Sequence, residues 1–371
     1  MPGLQSAILS RLDESSITPT NATYTGTIDT TWCIGSVPQG GYSLSIILNA
    51  VLAFMLTPEL TSTNIKSVPH HDPLILSATY IQAVTWTPYQ VRVTVLKRGK
   101  SLSNLQAELW QDGVMRITTQ VLMTNFAIQK QSADRTKVQG INGKDVHNPV
   151  LNGYSVTEES QWAPKFPLSP PEKCEKPRFF GNQAESGKTF GFGNLLTISE
   201  DPLQARSTLT SDQLSAGAYY ELVAEPTLAL DEKLVAKGRL SSGRNLIPFL
   251  ADMFTSPPMM IPGKHKSHWY PTLHLTIEFK RALPAGDAIV RRTATLSRGR
   301  FMINGQHESD SELWSHPKDQ HLFEQHRNNG AAEGKKRGKE GERRSYILAI
   351  ARQTALVLPF AVNQAKTKAK L

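Results

Sequence analysis

Histidines in two places are the residues of this sequence whose chemistry is easiest to suspect. The run His70-His71-Asp72 and the trio His265, His268 and His274 have side chains that can bind a metal ion. Neither group has an HExxH motif or another spacing typical of a metal site, and solvated loop histidines are far commoner. We therefore expect no metal site and no bound cofactor.

The sequence also contains no motif that identifies a catalytic nucleophile. No GxSxG motif occurs, so the sequence does not predict a serine nucleophile. Cys33 follows Trp32 with no identifiable base beside it, which is typical of a small buried side chain. The turn Gln39-Gly40-Gly41 belongs to neither a GxxxxGK(S/T) nor a GxGxxG motif, and we interpret it as a packing turn rather than a phosphate site.

Composition limits the function classes. The chain has 371 residues, 39% of them apolar, which suffices for a full core and suggests two domains. The net charge is +9, but much of it lies between 317 and 345 and in the last nine residues, which leaves no face that would bind nucleic acid. The longest apolar run, of 13 residues, is too short to cross a bilayer, and no secretory signal is visible. We expect a soluble intracellular protein.

The elements that must position any site begin with a helix. Apolar residues from Leu44 to Met55 fall at helical spacing after the Gly40-Gly41 turn, and a helix this apolar must be buried. A second helix is predicted from Asn245 to Phe254. Strands are predicted after each helix, at 74–84, 89–98, 102–111, 114–126, 273–279, 289–297, 301–314 and 346–358. Asp112-Gly113 predicts a two-residue hairpin turn.

The two halves of the sequence repeat each other. In residues 71–84 and 270–283, apolar residues occupy the same alternate positions when the two segments are aligned at an offset of 199. Glu108-Leu109-Trp110 recurs as Glu312-Leu313-Trp314, at an offset of 204. Met115, Ile117 and Gln120 match Leu348, Ile350 and Gln353, at an offset of 233. Because the blocks keep their order, we predict two copies of one α+β unit, with Gln120 as the counterpart of Gln353.

Four regions follow from the repeat. They are an N-terminal unit at 1–128, an irregular linker at 129–215, a C-terminal unit at 216–362 and a tail at 363–371. Residues 316–345 interrupt the second unit; they are charged and Gly-rich, which is typical of disorder. A basic lid near an anionic ligand is the functional alternative for this insertion.

A helix, a long strand and a meander, repeated once, resemble the double hot-dog architecture of the acyl-CoA thioesterase II type and its fungal thioesterase-like relatives. The resemblance is carried in the first half by VPQGGYSLSIILNAV, HDPLILSATYIQAV and ELWQDG, and in the second by FLADMFTSPP, YPTLHLTIEFKRAL and LAIARQTALVLP. It implies an α+β fold in which each sheet wraps its helix and the two sheets pair edge to edge as an internal pseudo-dimer.

The resemblance also implies an active site in the second hot-dog. The family's Asp on the central helix, Thr at the start of the long strand and Gln on the last strand match Asp252, Thr272 and Gln353. A carboxylate would orient and deprotonate the attacking water, while a hydroxyl and an amide hold the water and the acyl carbonyl in line. Each residue has a simpler interpretation: Asp252 as a capping carboxylate, Thr272 as an ordinary strand residue and Gln353 as a partly structural amide.

The expected activity is hydrolysis of an acyl-CoA, or a related acyl thioester, to the free acid and thiol. Two alternatives stay open: acyl transfer to an alcohol or amine, and acyl-thioester binding without turnover, in a fungal secondary-metabolite pathway. The C-terminal Ala369-Lys370-Leu371 is a conservative variant of the Ser-Lys-Leu address, so we predict peroxisomal import through the import receptor, with the cytoplasm as the alternative. A homo-oligomer formed through exposed sheet edges also stays open.

Overall fold

The computed structural model describes most of the chain. The described residues are 3–57, 70–126, 163–181, 190–204, 214–223, 243–261, 268–283, 290–323 and 344–363, together with the backbone of 137–139 and 145–147. His265, most of the basic insertion (324–343) and Ala369-Lys370-Leu371 lie outside them.

Strands dominate the described residues. The α-helices are α1 (Leu4–Ala7), α2 (Gly40–Met55), α3 (Ile247–Ala251) and α4 (Pro257–Met260). Single 3-10 turns occur at Glu14–Ser16, Thr30–Trp32, Pro171–Lys173, Gly191–Asn194, Arg244–Leu246 and Pro317–Asp319. The strands of the first half are β1 (Arg11–Asp13), β2 (Asn21–Thr27), β3 (Cys33–Ile34), β4 (Val37–Pro38), β5 (Asp72–Tyr80), β6 (Pro88–Arg98), β7 (Ser103–Gln111), β8 (Val114–Thr124), β9 (Lys137–Gln139) and β10 (Asp145–His147). Those that follow are β11 (Arg178–Phe179), β12 (Leu196–Glu200), β13 (Ser215–Leu222), β14 (His268–Trp269), β15 (Thr272–Phe279), β16 (Arg292–Ile303), β17 (Gln306–Ser315), β18 (Ile347–Leu356) and β19 (Leu358–Pro359).

One sheet of thirteen strands joins the two halves. Its order is β1-β2-β6-β7-β8-β5-β15-β18-β17-β16-β13-β12-β11, so the halves meet where β5 pairs antiparallel with β15. On either side of this junction the strands follow the same order. Ser77 lies opposite Thr276, its counterpart at the offset of 199, so an approximate twofold axis passes between them. The predicted edge-to-edge pairing is confirmed.

Helix α2 occupies the core as its composition predicts. Gln39 caps its first turn by accepting a hydrogen bond from the Tyr42 N–H, and the apolar residues Leu44, Ile47 and Leu48 are fully buried. Burying a side chain of this size contributes about 1.5–3 kcal/mol to folding. Because the helix is covered on nearly every side, it holds its N-terminal turn firmly in place.

The second helix is shorter than predicted. Instead of one helix over 245–254, a 3-10 turn at Arg244–Leu246 leads into α3, which ends at Ala251 with Asp252 as its C-cap. Pro257 and Pro258 open the next short helix, and a residue before proline is disfavoured in the helical region. Helix α3 packs on the start of α2, where a Cβ atom at Gly41 would lie 2.2 Å from the Pro248 carbonyl oxygen, so only glycine fits.

The strand register corrects one repeat match. Glu108 pairs with Thr118, and its counterpart Glu312 pairs with Ile350, so β8 and β18 correspond at an offset of 232. Gln353 therefore corresponds to Val121, and the predicted match of Gln120 with Gln353 is wrong by one residue. A shift of one residue moves a side chain to the other face of a sheet. Gln120 is exposed, while Val121 and Gln353 are buried.

Two hairpins share one turn geometry. Asp112-Gly113 connects β7 to β8 as predicted, with φ of 52° and 73°. Asn304-Gly305 connects β16 to β17 with the same φ values. The strand predicted over 301–314 is therefore wrong at its start, because residues 301–303 belong to β16 and the chain reverses at Asn304.

The outer strands β11 and β12 lie within 129–215, the region predicted as irregular linker, and they extend the sheet of the second half. Segment 163–174 covers part of the outer face of that sheet, where Leu168 packs with Tyr219 and Trp314. Within the described ranges, no helix is long and apolar enough to cross a membrane.

Candidate active site

The three residues implied by the resemblance meet at one point. Asp252 caps the end of α3, Thr272 begins β15, and Gln353 lies on the neighbouring β18. The Nε2 group of Gln353 donates to Asp252 Oδ1 at 2.7 Å and to Thr272 Oγ1 at 2.9 Å. One amide thus holds the carboxylate and the hydroxyl in a fixed relation.

The first hot-dog completes this cluster. Gln39 Nε2 donates to Asp252 Oδ2 at 2.8 Å and to its main-chain oxygen at 3.2 Å. The backbone N–H of Gly41 donates to the same Oδ2 at 2.8 Å. Because Gln39 Oε1 accepts the Tyr42 N–H at 2.6 Å, the cap fixes which end of the Gln39 amide faces Asp252. The carboxylate therefore lies where the N-terminus of α2 meets the C-terminus of α3.

Burial sets the charge state of Asp252. Its side chain is enclosed by protein except for an edge that borders the pocket described below. Burial raises the pKa of Asp252 from 3.8 to about 7, against the lowering effects of the Gly41 N–H and the Gln353 amide. All the partners named above are neutral donors, so the carboxylate titrates near neutrality. That is the range in which a general base works best.

Gly40 and Tyr80 form the next part of the wall. A Cβ atom at Gly40 would lie 2.9 Å from Asp252 Oδ2 and 3.1 Å from Thr272 Oγ1, so glycine lets the backbone approach both groups. The Tyr80 hydroxyl donates to the Gly40 carbonyl at 2.8 Å. Burial, and secondarily the nearby Asp252, raise the pKa of Tyr80 well above its ordinary value, so the phenol stays neutral.

A pocket of about 380 Å³ opens beside the carboxylate. Asp252, Thr272 and Gln353 form part of its lining, together with Gln39 and Gly40 from the other half. The rest of the lining is largely apolar and comes from both halves and from the segment around Phe180 and Phe190. Such a pocket with a few convergent polar groups is the usual form of a small-molecule site.

The histidines and Cys33 take other roles. His70 is buried between the Ser103 hydroxyl and the Lys100 carbonyl. His274 lies on β15 and contacts the hydroxyl of Ser77. Among the residues the structure describes, no three potential ligands form a metal cluster. Cys33 is buried as predicted, and burial raises the pKa of its thiol to about 12.

Sequence reasoning missed the contribution of the first hot-dog. Gln39-Gly40-Gly41 is a packing turn, as interpreted, but it also supplies an amide and an N–H to Asp252. The available signal was a polar residue directly before two glycines at the start of a buried helix. A side chain at that position caps the helix and reaches whatever lies against its N-terminus.

Comparisons with known proteins agree with this architecture. Residues 28–126 match the family model described as the acyl-CoA thioesterase N-terminal domain. None of the curated proteins matches the sequence. A candidate thioesterase II from Thermobifida fusca has a similar structure, with a TM-score of 0.58, 16% identity, and coverage of 95% of this chain and 97% of that one.

Two further solved structures are similar over most of their length. A conserved protein of unknown function with a hot dog fold from Alicyclobacillus acidocaldarius has a TM-score of 0.56 at 12% identity, covering 95% of this chain and 97% of that chain. A candidate thioesterase from Novosphingobium aromaticivorans has a TM-score of 0.52 at 11% identity, covering 91% and 95%. At such identities the likeness concerns the fold.

The α+β double hot-dog fold expected from the sequence is thereby confirmed, and so is the resemblance on which that expectation depended. The predicted enzyme class, a thioester hydrolase, is supported by the match of residues 28–126 to the acyl-CoA thioesterase N-terminal domain. That match lies within the first half of the chain. The chain has the double hot-dog fold, and its residues 28–126 match the N-terminal domain of the acyl-CoA thioesterases.

Proposed function

We propose that the chain hydrolyses an acyl-CoA, or a related acyl thioester, to the free acid and thiol at Asp252, Thr272 and Gln353. The observation that carries the proposal is a buried carboxylate with a pKa of about 7, held by neutral donors at the edge of a largely apolar pocket. A charge partner would have stabilised the ionised carboxylate and weakened it as a base.

Asp252 is the general base in this mechanism. Its Oδ2 accepts two hydrogen bonds and its Oδ1 accepts one, so Oδ1 keeps a lone pair for a hydrogen of the attacking water. The water adds to the thioester carbonyl as its proton passes to Asp252. Collapse of the tetrahedral intermediate breaks the C–S bond, and the proton returns to the departing thiolate.

Thr272 and the start of α2 stabilise the developing oxyanion. The Thr272 hydroxyl accepts a hydrogen bond from Gln353, which leaves its own hydrogen to donate to the carbonyl oxygen. The first N–H groups of a helix have no intrahelical acceptor. The N–H of Gly40, the first residue of α2, is the backbone donor that the proposal assigns to the oxyanion.

Gln39 is a positioning residue in this mechanism. It holds Asp252 through two hydrogen bonds and does not itself need to touch the substrate. Because Gln39 belongs to the first hot-dog and Asp252 to the second, the mechanism requires both halves.

Thiol release from a panel of acyl-CoAs tests the function, comparing the wild type with Asp252→Asn. Asp72→Asn is the matched control, since Asp72 is a buried aspartate outside the pocket lining. Release of free acid that Asp252→Asn abolishes and Asp72→Asn retains supports hydrolysis. Turnover that requires an added alcohol or amine would identify the reaction as acyl transfer rather than hydrolysis. Tight binding of acyl-CoA without any turnover would identify the chain as a binding protein.

The proposed location is the peroxisome, supported by the Ala369-Lys370-Leu371 tail alone. A fluorescent fusion that keeps this C-terminus should co-localise with peroxisomes, and removal of the last three residues should disperse it. Dispersal of the full-length fusion would favour the cytoplasm.

A further inference from the structure

Aromatic side chains are concentrated in the pocket lining. Nine of the 32 lining residues are Phe, Tyr or Trp, whereas these types make up 8% of the whole chain. Among the lining residues described, Asp252 and His268 are the ionisable side chains apart from tyrosines, and none is Lys or Arg. The wall away from Asp252 is therefore suited to an uncharged group with a π system rather than to a charged one.

The rings on one wall hold fixed orientations. Phe180 meets Phe190 edge to face, with centroids 4.9 Å apart, and stacks on Phe192 at 5.8 Å. Behind them, Trp32 lies 5.7 Å from Phe192 and nearly parallel to it, and Phe249 contacts Phe192 edge to face at 5.6 Å. Rings that are already packed this way present their exposed faces and edges without further ordering on binding.

The segment just before Thr272 adds further aromatic side chains to the lining. Trp269 and Tyr270 line the pocket three and two residues before Thr272. An acyl group whose carbonyl lies at Asp252 and Thr272 therefore meets aromatic side chains within the same pocket.

We propose that this pocket selects acyl thioesters whose acyl group carries an aromatic ring, packed against the partly exposed rings of Phe180 and Phe190, which the buried Phe192 supports from behind. This inference rests on the proposed hydrolysis and narrows its substrate class. Offset-stacked and edge-to-face ring pairs contribute about 0.5–1.5 kcal/mol beyond the area they bury, which a saturated ring of the same size does not gain.

The test compares 3-phenylpropanoyl-CoA with 3-cyclohexylpropanoyl-CoA. Two methylene groups separate each ring from the carbonyl, so the two thioesters have equal intrinsic reactivity and differ in the ring alone. The wild type should show a kcat/KM about three- to tenfold higher for the phenyl substrate. A ratio at or below one would overturn the inference while hydrolysis of either substrate still supports the proposed function.

Two neighbouring phenylalanines supply matched variants. Phe180 lines the pocket, whereas Phe179 is 42% exposed and lies outside the lining. Phe180→Leu should bring the phenyl-to-cyclohexyl ratio close to one, and Phe179→Leu should leave it unchanged. An equal loss with both substrates in Phe180→Leu would mean that this wall holds the pantetheine arm, and it would overturn the inference.

A measurement of thioester binding tests the aromatic preference of the pocket independently of the proposed hydrolysis. If the wild type hydrolyses neither these two thioesters nor any member of the acyl-CoA panel, the proposed function fails, and calorimetry of the phenyl and cyclohexyl thioesters with the wild type still measures ring selection. Tighter binding of the phenyl compound, lost in Phe180→Leu, supports aromatic selection, and equal affinities overturn it.

Discussion

The two hot-dogs differ at equivalent positions of their sheets: the second has a polar cluster there and the first has none. In the second half, Gln353 donates hydrogen bonds both to Asp252 and to Thr272. The counterparts of this glutamine and threonine in the first half are Val121 and Pro73, whose side chains form no hydrogen bonds. The fold repeats, but the polar cluster does not, which argues that the cluster is not required to build a hot-dog.

The first half has its own buried aspartate with a different set of partners. Asp72 is 2% exposed, lies 3.2 Å from the Arg244 guanidinium and accepts the Phe126 N–H at 3.0 Å. Arg244 opens the 3-10 turn that leads into α3, whereas Gln39 lies directly before α2. Removing the carboxylate from a pair such as Asp72 with Arg244 leaves an uncompensated buried guanidinium, whereas Asp252 is held by neutral donors alone.

The largest expected effect is on catalysis at Asp252. Asp252→Asn should lower kcat by at least about 100-fold, because it removes the base and leaves a nearly isosteric side chain. Stopped assays of thiol release on the folded variant measure the loss. Asp72→Asn, the control, should keep kcat within about threefold of the wild type, since Asp72 does not line the pocket. Undiminished turnover in Asp252→Asn would remove this residue from the mechanism.

The complementary effect is on stability at Asp72. Asp72→Asn should lower the free energy of unfolding by about 2 kcal/mol, because Arg244 keeps its charge in a largely buried position without its carboxylate. Urea titration followed by fluorescence measures the change. Adding Arg244→Met should recover much of the loss. If the Asp72→Asn variant is as stable as the wild type, the proposed difference between Asp72 as a structural carboxylate and Asp252 as a catalytic one is wrong.

Much of this arrangement was readable in the sequence, and the exceptions have physical causes. The buried helix α2 could be predicted because its apolar residues recur at helical spacing, and the pairing of the two halves was implied by the resemblance to the double hot-dog proteins. The one-residue error that matched Gln120 with Gln353 arose because short apolar strands look alike at neighbouring offsets, and only cross-strand pairing fixes the register. Gln39 was missed as part of the site because its contact with Asp252 spans 213 residues of chain.

The pH dependence of kcat sharpens the contrast further. Because the pKa of Asp252 is raised to about 7, turnover should be greatest above about pH 8 and fall about tenfold per pH unit below 7. Initial rates under saturating substrate between pH 5 and pH 9 measure the profile. A midpoint near 4, the ordinary value for aspartate, would mean that Asp252 does not act as the base.

The same pKa shift makes the free energy of unfolding depend on pH, in the opposite direction to kcat. The folded state holds a proton up to about pH 7 that the unfolded chain releases near pH 4, so the free energy of unfolding falls as pH rises between these values. The slope from this group is at most about 1.4 kcal/mol per pH unit. Asp252→Asn should remove this slope, so the free energy of unfolding of the wild type should fall relative to that of the variant as pH rises from about 4 to about 8. A difference between the two proteins that stays constant over this range would contradict the assigned shift.

The smallest expected effect is at Gln39, and it tests whether the first hot-dog takes part in catalysis. Gln39→Met removes a hydrogen bond to Asp252 Oδ2, so the pKa of Asp252 should rise further and the midpoint of the kcat profile should move up by about half a unit. At pH 6 this lowers kcat about threefold, while at pH 9 the variant should equal the wild type. The variant also loses the cap to Tyr42, which costs about 1 kcal/mol of stability, so Tm falls with it. Recovery of kcat at high pH separates the two roles: a purely structural residue would lower Tm and leave the midpoint where it was.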